Sequence, residues 1–525
     1  MRCDRKTRMV LGEILLRTAT SSPDKLAVID RSTNTSCTYG ELNARVNRLA
    51  HAFTAAGVRR GDRVAILHHN CLEYIETFFA AMKIGAVLTA LDYRIASREL
   101  KYLLNDSEAN TLIIGENYLN LVTPIISELG TVKNFISVAR GSKQTISYEK
   151  LISSYPSTEP GVNVAENYLA TLYYTSGTTG LPKGVMMTHR NLVAALMSMW
   201  NPLPVTSDDV TLHTSPFSHI AAVWPLLEHI YAGGANVTIE GFDPRVVLEA
   251  IEQNGVTTWN SVPTMILRVV EHPDLSKYAL GSLRWIGYGA SPMPMEVLKR
   301  ALRLVGNIFV QVYGLTETYI VTLLPREDHT TGGPGDKLRR LSSCGKALPG
   351  MQVRVVNGEG KDIVPGETGE IIVKGDSVTQ GYWRSPEETA KAIKQGWFYT
   401  GDLAAIDEQG YLYIVGRKKE IIISGGENIS PREVEEVIYQ HHAVFEAAVI
   451  GVPDRQWGEA VKAVVALKEG ERVTEEEVIS FCKQNLARFK APKFVDFVDS
   501  LPKTASGKIS RKELRDRCQA DTNRT

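Results

Sequence analysis

From Tyr39 to about Ser342, strand-like and helix-like patterns alternate, and this alternation limits how the chain can pair its backbone. Tyr39–Ala56 carries Leu42, Val46, Leu49, Ala50 and Phe53 at the spacing of one helix face. Arg63–Leu67 reads as a buried strand, Glu73–Ile84 as a helix, and Ala86–Leu91 and Thr111–Ile114 as strands. Further strand–helix units are expected around Asn236–Ile239, Thr257–Asn260, Leu283–Tyr288 and Asn307–Val312. Strands joined through helices return to pair in parallel, so the pattern predicts an α/β fold with parallel sheets covered by helices. At 525 residues the chain is too long for one core, and about three or four domain-sized units are expected.

The texture changes after Ser342. Met351–Val356, Glu370–Lys374, Tyr411–Val415 and Glu420–Ile423 read as short strands with Gly-rich turns between them, giving a small β-rich, barrel-like subdomain at about 342–416. Beyond Ser430, helix and strand return. Pro431–Gln440 is a helix opening at a Ser-Pro N-cap, Ala447–Val452 and Lys462–Leu467 are strands, and Glu475–Leu486 is a helix. The expected division is therefore a large N-terminal domain at 1–416, a basic linker at 417–420 and a small α+β C-terminal domain at 421–525.

Composition narrows the function class. The 59 basic and 59 acidic residues cancel, which argues against a nucleic-acid partner. The six cysteines are scattered without a C-x-x-C pair, arguing against disulfides or a zinc site and for a reducing compartment. His68-His69 and His441-His442 lack metal-ligand spacing and read as structural. No apolar run is long enough to span a membrane and the N-terminus makes a poor signal peptide, so a cytoplasmic protein without an integral membrane segment is expected.

One loop carries chemistry. Leu169–Tyr174 reads as a strand leading into Thr175-Ser176-Gly177-Thr178-Thr179-Gly180-Leu181-Pro182-Lys183. Glycines let backbone N–H groups approach an anion, hydroxyls add rotatable donors and the lysine adds a charge, a combination suited to polyphosphate. The spacing is not that of a Walker A loop, and taken alone the segment reads equally well as a polar surface loop. Other polar signatures recur downstream: Gln311-Val312-Tyr313-Gly314-Leu315-Thr316-Glu317, Trp397-Phe398-Tyr399-Thr400-Gly401-Asp402 (a carboxylate after an aromatic turn), Gly416-Arg417, and Ser506-Gly507-Lys508.

In their order and spacing these motifs resemble the adenylate-forming superfamily of acyl-CoA synthetases, firefly luciferase and non-ribosomal peptide adenylation domains, from about Thr38 to Leu514. Ile422-Ile423-Ser424-Gly425-Gly426-Glu427-Asn428-Ile429 and Gly451-Val452-Pro453-Asp454 bring the chain nearest to bacterial fatty-acyl and aryl-CoA ligases. The resemblance implies attack of a carboxylate on the α-phosphate of ATP, then displacement of AMP by the thiol of coenzyme A, with Mg²⁺ required. By the same resemblance Thr175, Ser176, Gly177, Thr178, Thr179 and Lys183 hold the β- and γ-phosphates, Glu317 binds Mg²⁺, and Thr316 contacts the α-phosphate. Tyr313 stacks on adenine, with Gln311, Gly314 and the backbone around Ala290 at its edge, while Asp402 and Arg417 take the ribose. Lys508 is the mobile lysine of adenylation, Lys419 the hinge about which the C-terminal domain rotates, and Gly425-Gly426 flank the pantetheine. Arg488-Phe489-Lys490 and Lys493 are expected near the CoA nucleotide.

His219, after Pro216-Phe217-Ser218, matches the family's gate beside the thioester channel. No aspartate in Ser218–Ala222 could pair a substrate ammonium, so amino acids are disfavoured. Ala221, Ala222, Val262, Gly314, Ile320 and Val321 suggest an apolar cavity for a fatty or aryl acid, which Trp224 could cap if it does not face the core. The implied partners are a small carboxylate, ATP and CoA, and a homodimer is left open. Two other readings stand beside this one: a free-standing ligase loading a carrier protein, and a silent nucleotide- or acyl-binding regulator. The joint retention of Lys183, Glu317, Asp402, Arg417 and Lys508 argues against the regulator.

Overall fold

A computed structural model of the chain describes residues 9–138, 144–175, 181–332, 335–504 and 507–522, the side chains of 336 and 519–522 excepted. The alternation in the sequence becomes two large sheets. A seven-stranded sheet orders Ile146–Ser147, Asn134–Val138, Ala109–Gly115, Arg63–Leu67, Val87–Leu91, Leu169–Thr175 and Lys183–Thr188. All its pairings are parallel except the last, where Lys183–Thr188 folds back on Leu169–Thr175. A nine-stranded sheet runs Lys346–Ala347, Tyr319–Leu324, Phe309–Leu315, Trp285–Gly289, Thr258–Ser261, Val210–His213, Ala235–Thr238, Leu26–Asp30 and Thr35–Thr38, parallel in its middle and antiparallel at its edges.

The covering helices form where sequence and caps agree. Tyr39–Ala55 opens with a capping box between Thr38 and Glu41 and buries Leu42, Val46, Leu49, Ala50 and Phe53. Leu72–Ile84 stops at Gly85, whose φ of +68° ends the helix in the left-handed region. One core, reaching from Leu11 through Phe78 and Trp224 to Val373, runs beneath both large sheets, which fixes their strand ends relative to each other.

The β-rich region is a five-stranded antiparallel sheet built on Met351–Val356, Gly369–Gly375, Trp397–Ile406, Ile393–Lys394 and Leu412–Arg417. The last sheet joins Glu427–Ile429, Ile422–Ser424, Gly458–Leu467, Val444–Asp454 and Phe494–Phe497. Pro431–Ile438 and Glu475–Asn485 contribute to the apolar cluster on one side of it, and Leu514 of Arg511–Thr522 belongs to a second, separate cluster. Ser430 caps Pro431–Ile438 as the Ser-Pro pattern predicts. This last unit touches the rest of the molecule at named points. Met295 N, the first amide of the helix Met295–Val305, donates to Glu436 Oε2 at 3.2 Å, and Thr264 Oγ1 donates to the carbonyl of Gly507 at 2.9 Å. Among the described residues no helix is long and apolar enough to cross a membrane.

Candidate active site

Several residues of the site lie at or just past the carboxyl ends of parallel strands, where open α/β sheets place their ligands. Asp92 follows Val87–Leu91, Thr175 ends Leu169–Thr175, Ala290 follows Trp285–Gly289, and Thr316 and Glu317 follow Phe309–Leu315.

Thr175 and Lys183 are direct cross-strand partners, so both ends of the predicted phosphate loop are fixed. Ser176, Gly177, Thr178 and Thr179 lie outside the described residues. The Lys183 ammonium pairs with the carboxylate of Glu388 and sits 5.3 Å from the centroid of the Tyr382 ring. Hydrogen bonds from Lys183 and then Lys391, the latter at 2.7 Å, hold the Glu388 carboxyl down at about 2.

Thr316 and Glu317 occupy the turn between Phe309–Leu315 and Tyr319–Leu324. The strands approach so closely there that a Cβ on Gly314 would lie 1.7 Å from the Tyr319 carbonyl oxygen. Tyr319 itself takes a φ of +58°, unusual for a bulky residue, beside a break in the strand register. Glu317 Oε1 accepts the Tyr382 hydroxyl at 2.8 Å, and the Glu317 carbonyl accepts Thr379 N at 2.7 Å.

Asp402 and Arg417 face each other across two strands, and Arg417 Nε donates to Asp402 Oδ1 at 3.0 Å. Asp402 Oδ2 accepts the Tyr313 hydroxyl at 2.8 Å. Burial pushes the Asp402 carboxyl up against the pull of Arg417. A carboxylate has about four acceptor positions, so about two remain for further donors. Asp402 does not follow a turn, as the aromatic run suggested. It sits inside the ten-residue strand Trp397–Ile406, which absorbs the φ of +73° at Gly401 and a register shift just after Leu403. Gln311 accepts from the Tyr288 hydroxyl at 3.3 Å, and Ala290 holds a φ of +67° next to Gly289, where a Cβ would lie 2.3 Å from Val312 O.

Lys508 reaches this group from the last unit. Its carbonyl accepts Thr504 N at 2.7 Å, Gly507 N donates to Thr504 O at 2.9 Å, and the turn lies against Val262 and Thr264. Burial, then the positive charge of Arg417, lower the Lys508 ammonium to about 8 against the opposing pull of Asp402 and Glu317. The fold thus gathers Lys183, Glu317, Tyr313, Asp402, Arg417 and Lys508.

It does not gather the residues expected at CoA. Gly425 and Gly426 form a tight turn with φ of +61° and +86°; Gly425 N donates to Trp457 O at 2.8 Å, and a Cβ on Gly425 would strike the Trp457 ring at 2.7 Å. Lys490 pairs with Glu433 at 2.6 Å and Lys493 with Asp454 at 3.0 Å, while Phe489 is exposed on a single 3₁₀ turn. Lys419 is exposed in the turn after Arg417, where the amides of Glu420 and Ile421 donate to the Arg417 carbonyl at 2.8 and 3.1 Å.

His219 Nε2 lies 3.4 Å from Asp92 Oδ2. Burial would raise Asp92, but contact with His219 and with Arg94 outweighs it and keeps the carboxyl at about 2. Ala221 is exposed, whereas Trp224 is buried in the core and stacks on Trp285 at 5.8 Å. Sequence reasoning passed over Asp92, Tyr382 and Glu388. The position of Asp92 directly after a strand was an available signal; Glu388 reads only as a helix-start acid, and Tyr382 as an aromatic beside a glycine.

A family model described as AMP-binding enzyme matches residues 15–383, and one described as AMP-binding enzyme C-terminal domain matches 433–508. The chain is 39% identical over 508 residues to a feruloyl-CoA synthase of Amycolatopsis sp, covering 97% of this chain and 99% of that one. It is 35% identical over 515 residues to a long-chain-fatty-acid–CoA ligase of Mycobacterium tuberculosis, covering 97% and 99%. The crystal structure of an anthranilate CoA ligase in complex with anthranoyl-AMP superposes with a TM-score of 0.91 at 26% identity, covering 100% of both chains. The chain belongs to the AMP-binding, adenylate-forming enzymes, in their acyl-CoA synthetase branch.

Proposed function

We propose that this chain is an ATP-dependent acid–thiol ligase that converts an apolar aryl or fatty carboxylate to its acyl-adenylate and then to its CoA thioester. The observation that carries the reading is the convergence of Lys508 with Asp402, Arg417 and Glu317 in one cleft. In the first step a carboxylate oxygen attacks the α-phosphorus and the bond to pyrophosphate breaks; in the second the CoA sulfur attacks the acyl carbon, AMP leaves and a proton is released. The difficulty of the first step is bringing an anion to a polyanion, and fixed cations are the physical answer.

In this reading Lys508 sits between the two reacting anions, and Asp402 and Arg417 hold the ribose. Lys183 exchanges Glu388 for the β- and γ-phosphates. Among the described residues no group of three or more His, Cys, Asp or Glu side chains could hold a metal ion. One carboxylate, Glu317, with phosphate and water oxygens, suits Mg²⁺, which gives up its water reluctantly. That ion, when bound, neutralises phosphate charge. Rotation about Lys419, within the 417–420 linker between domains at 1–416 and 421–525, would withdraw Lys508 and bring the Gly425-Gly426 turn to the cleft. The packing of Gly425 against Trp457 within the last unit is consistent with such a movement.

For the acid, the relatives' names favour an aryl or long-chain substrate; Trp224 faces the core and does not choose between them. In this reading His219, held against Asp92 at 3.4 Å, gates the acid. A cytoplasmic location and a homodimer belong to the same reading as expectations. Pyrophosphate exchange over a panel of carboxylates, followed by thioester detection with CoA, tests it. Exchange and thioester with an aryl acid are expected. Exchange without thioester would favour the carrier-protein alternative, and no exchange with any acid would remove the enzyme reading.

A further inference from the structure

The segment 377–383 joins the two motifs expected to hold the polyphosphate. On one side, Thr379 N donates to the Glu317 carbonyl at 2.7 Å and Ser377 Oγ to the Thr318 carbonyl at 3.0 Å. On the other, it zips onto the strand that begins at Lys183. Met186 N donates to Gly381 O at 3.1 Å, Trp383 N to Gly184 O at 2.7 Å, Thr379 Oγ1 to Met186 O at 2.6 Å, and Tyr382 bridges Val185. Tyr382 repeats this link in its side chain. The hydroxyl donates to Glu317 Oε1 at 2.8 Å, and the ring face lies 5.3 Å from the Lys183 ammonium. The segment is held to this path, because a Cβ on Gly381, at φ +133°, would meet Thr389 Cγ2 at 2.4 Å. The Thr389 hydroxyl accepts Tyr382 N at 2.9 Å.

We infer that Tyr382 is a positioning residue for the adenylation step. It orients the Glu317 carboxylate by occupying Oε1, which leaves Oε2 as the oxygen that would hold Mg²⁺, and it would seat Lys183 over its ring when the lysine leaves Glu388. The two halves of the polyphosphate grip are thereby held at one spacing although they come from different sheets. This inference rests on the proposed roles of Lys183 and Glu317.

The two contacts are separable. Tyr382→Phe keeps the ring under Lys183 and removes the hydrogen bond to Glu317, whereas Tyr382→Leu removes both. A hydrogen bond to a charged group sets the scale at about tenfold in affinity. Calorimetric titration with ATP is run with and without Mg²⁺, alongside the melting temperature. In Tyr382→Phe, ATP binding with Mg²⁺ should weaken by about tenfold while metal-free ATP binding stays within about twofold of the parent. Tyr382→Leu should weaken both. Adding Tyr382→Phe to Glu317→Gln should cause little further loss, since the two share one interaction. Unchanged Mg²⁺-dependent binding in Tyr382→Phe would overturn the inference. So would a lowered melting temperature in both variants with parental affinities, or full additivity with Glu317→Gln. Failure of the parent enzyme itself to bind ATP would instead overturn the underlying functional reading.

Discussion

Lys508 shows how a single residue's setting can be turned into a pH prediction. Burial, then the charge of Arg417, lower its ammonium to about 8, below the ordinary value of 10.5. Between these values the docked lysine binds fewer protons than the undocked one, so in the ligand-free enzyme docking strengthens as pH rises through that window and is weakest below pH 8. In the proposed adenylation step the dependence runs the other way, because a Lys508 that bridges two anions must be the ammonium. Adenylation should therefore fall on the alkaline side with an apparent pKa at or above 8, moved upward by the phosphates of bound ATP. Lys508→Arg, which stays charged across this range, should lose that alkaline limb even if its rate is lower throughout. An identical limb in Lys508→Arg would assign the titration to another group.

Among the elements, the hairpin of Phe309–Leu315 and Tyr319–Leu324 sets the position of Thr316 and Glu317. Gly314→Ala would drive a Cβ into the Tyr319 carbonyl, which lies 1.7 Å from where that atom must go. The strands would have to separate, at a cost of about 3 kcal/mol or more, with a lower melting temperature and loss of pyrophosphate exchange. A variant with parental stability and exchange would show that the turn tolerates displacement. The first strand and the polar cluster of this element were legible in the sequence, because Gln311–Glu317 follows an apolar run; the return strand Tyr319–Leu324 was not. The close approach at Gly314 was not, since it arises from the register of a partner strand. The same limit explains Asp402. Gly401 and the aromatics before it are ordinary turn signals; pairing with Gly369–Gly375 and Leu412–Arg417 makes the segment a strand, and the latter brings Arg417 opposite the carboxylate. Tyr382 escaped notice for a related reason: its two partners, Glu317 and Lys183, are distant in sequence and on different sheets. Helices and central parallel strands, whose patterns are local, came within a few residues of their observed bounds.

Across the whole molecule, the last unit is docked with Lys508 in the cleft. Glu436 helps hold it there by accepting the first amide of the helix Met295–Val305, a favourable place for a carboxylate. Glu436→Ala should lower adenylation by about threefold to tenfold, the scale of one such hydrogen bond. Thioester formation from supplied acyl-adenylate should be unaffected, because that contact belongs to the docked arrangement. An equal loss in both steps would make Glu436 a general stability residue. The broader account is that one scaffold runs two reactions by exchanging what fills the cleft. The most direct test is Lys508→Ala assayed in its two half-reactions separately. Adenylation, read as pyrophosphate exchange, should fall by about a hundredfold or more, while conversion of supplied acyl-adenylate and CoA to thioester stays near the parental rate. Equal loss of both half-reactions, or full retention of exchange, would contradict it.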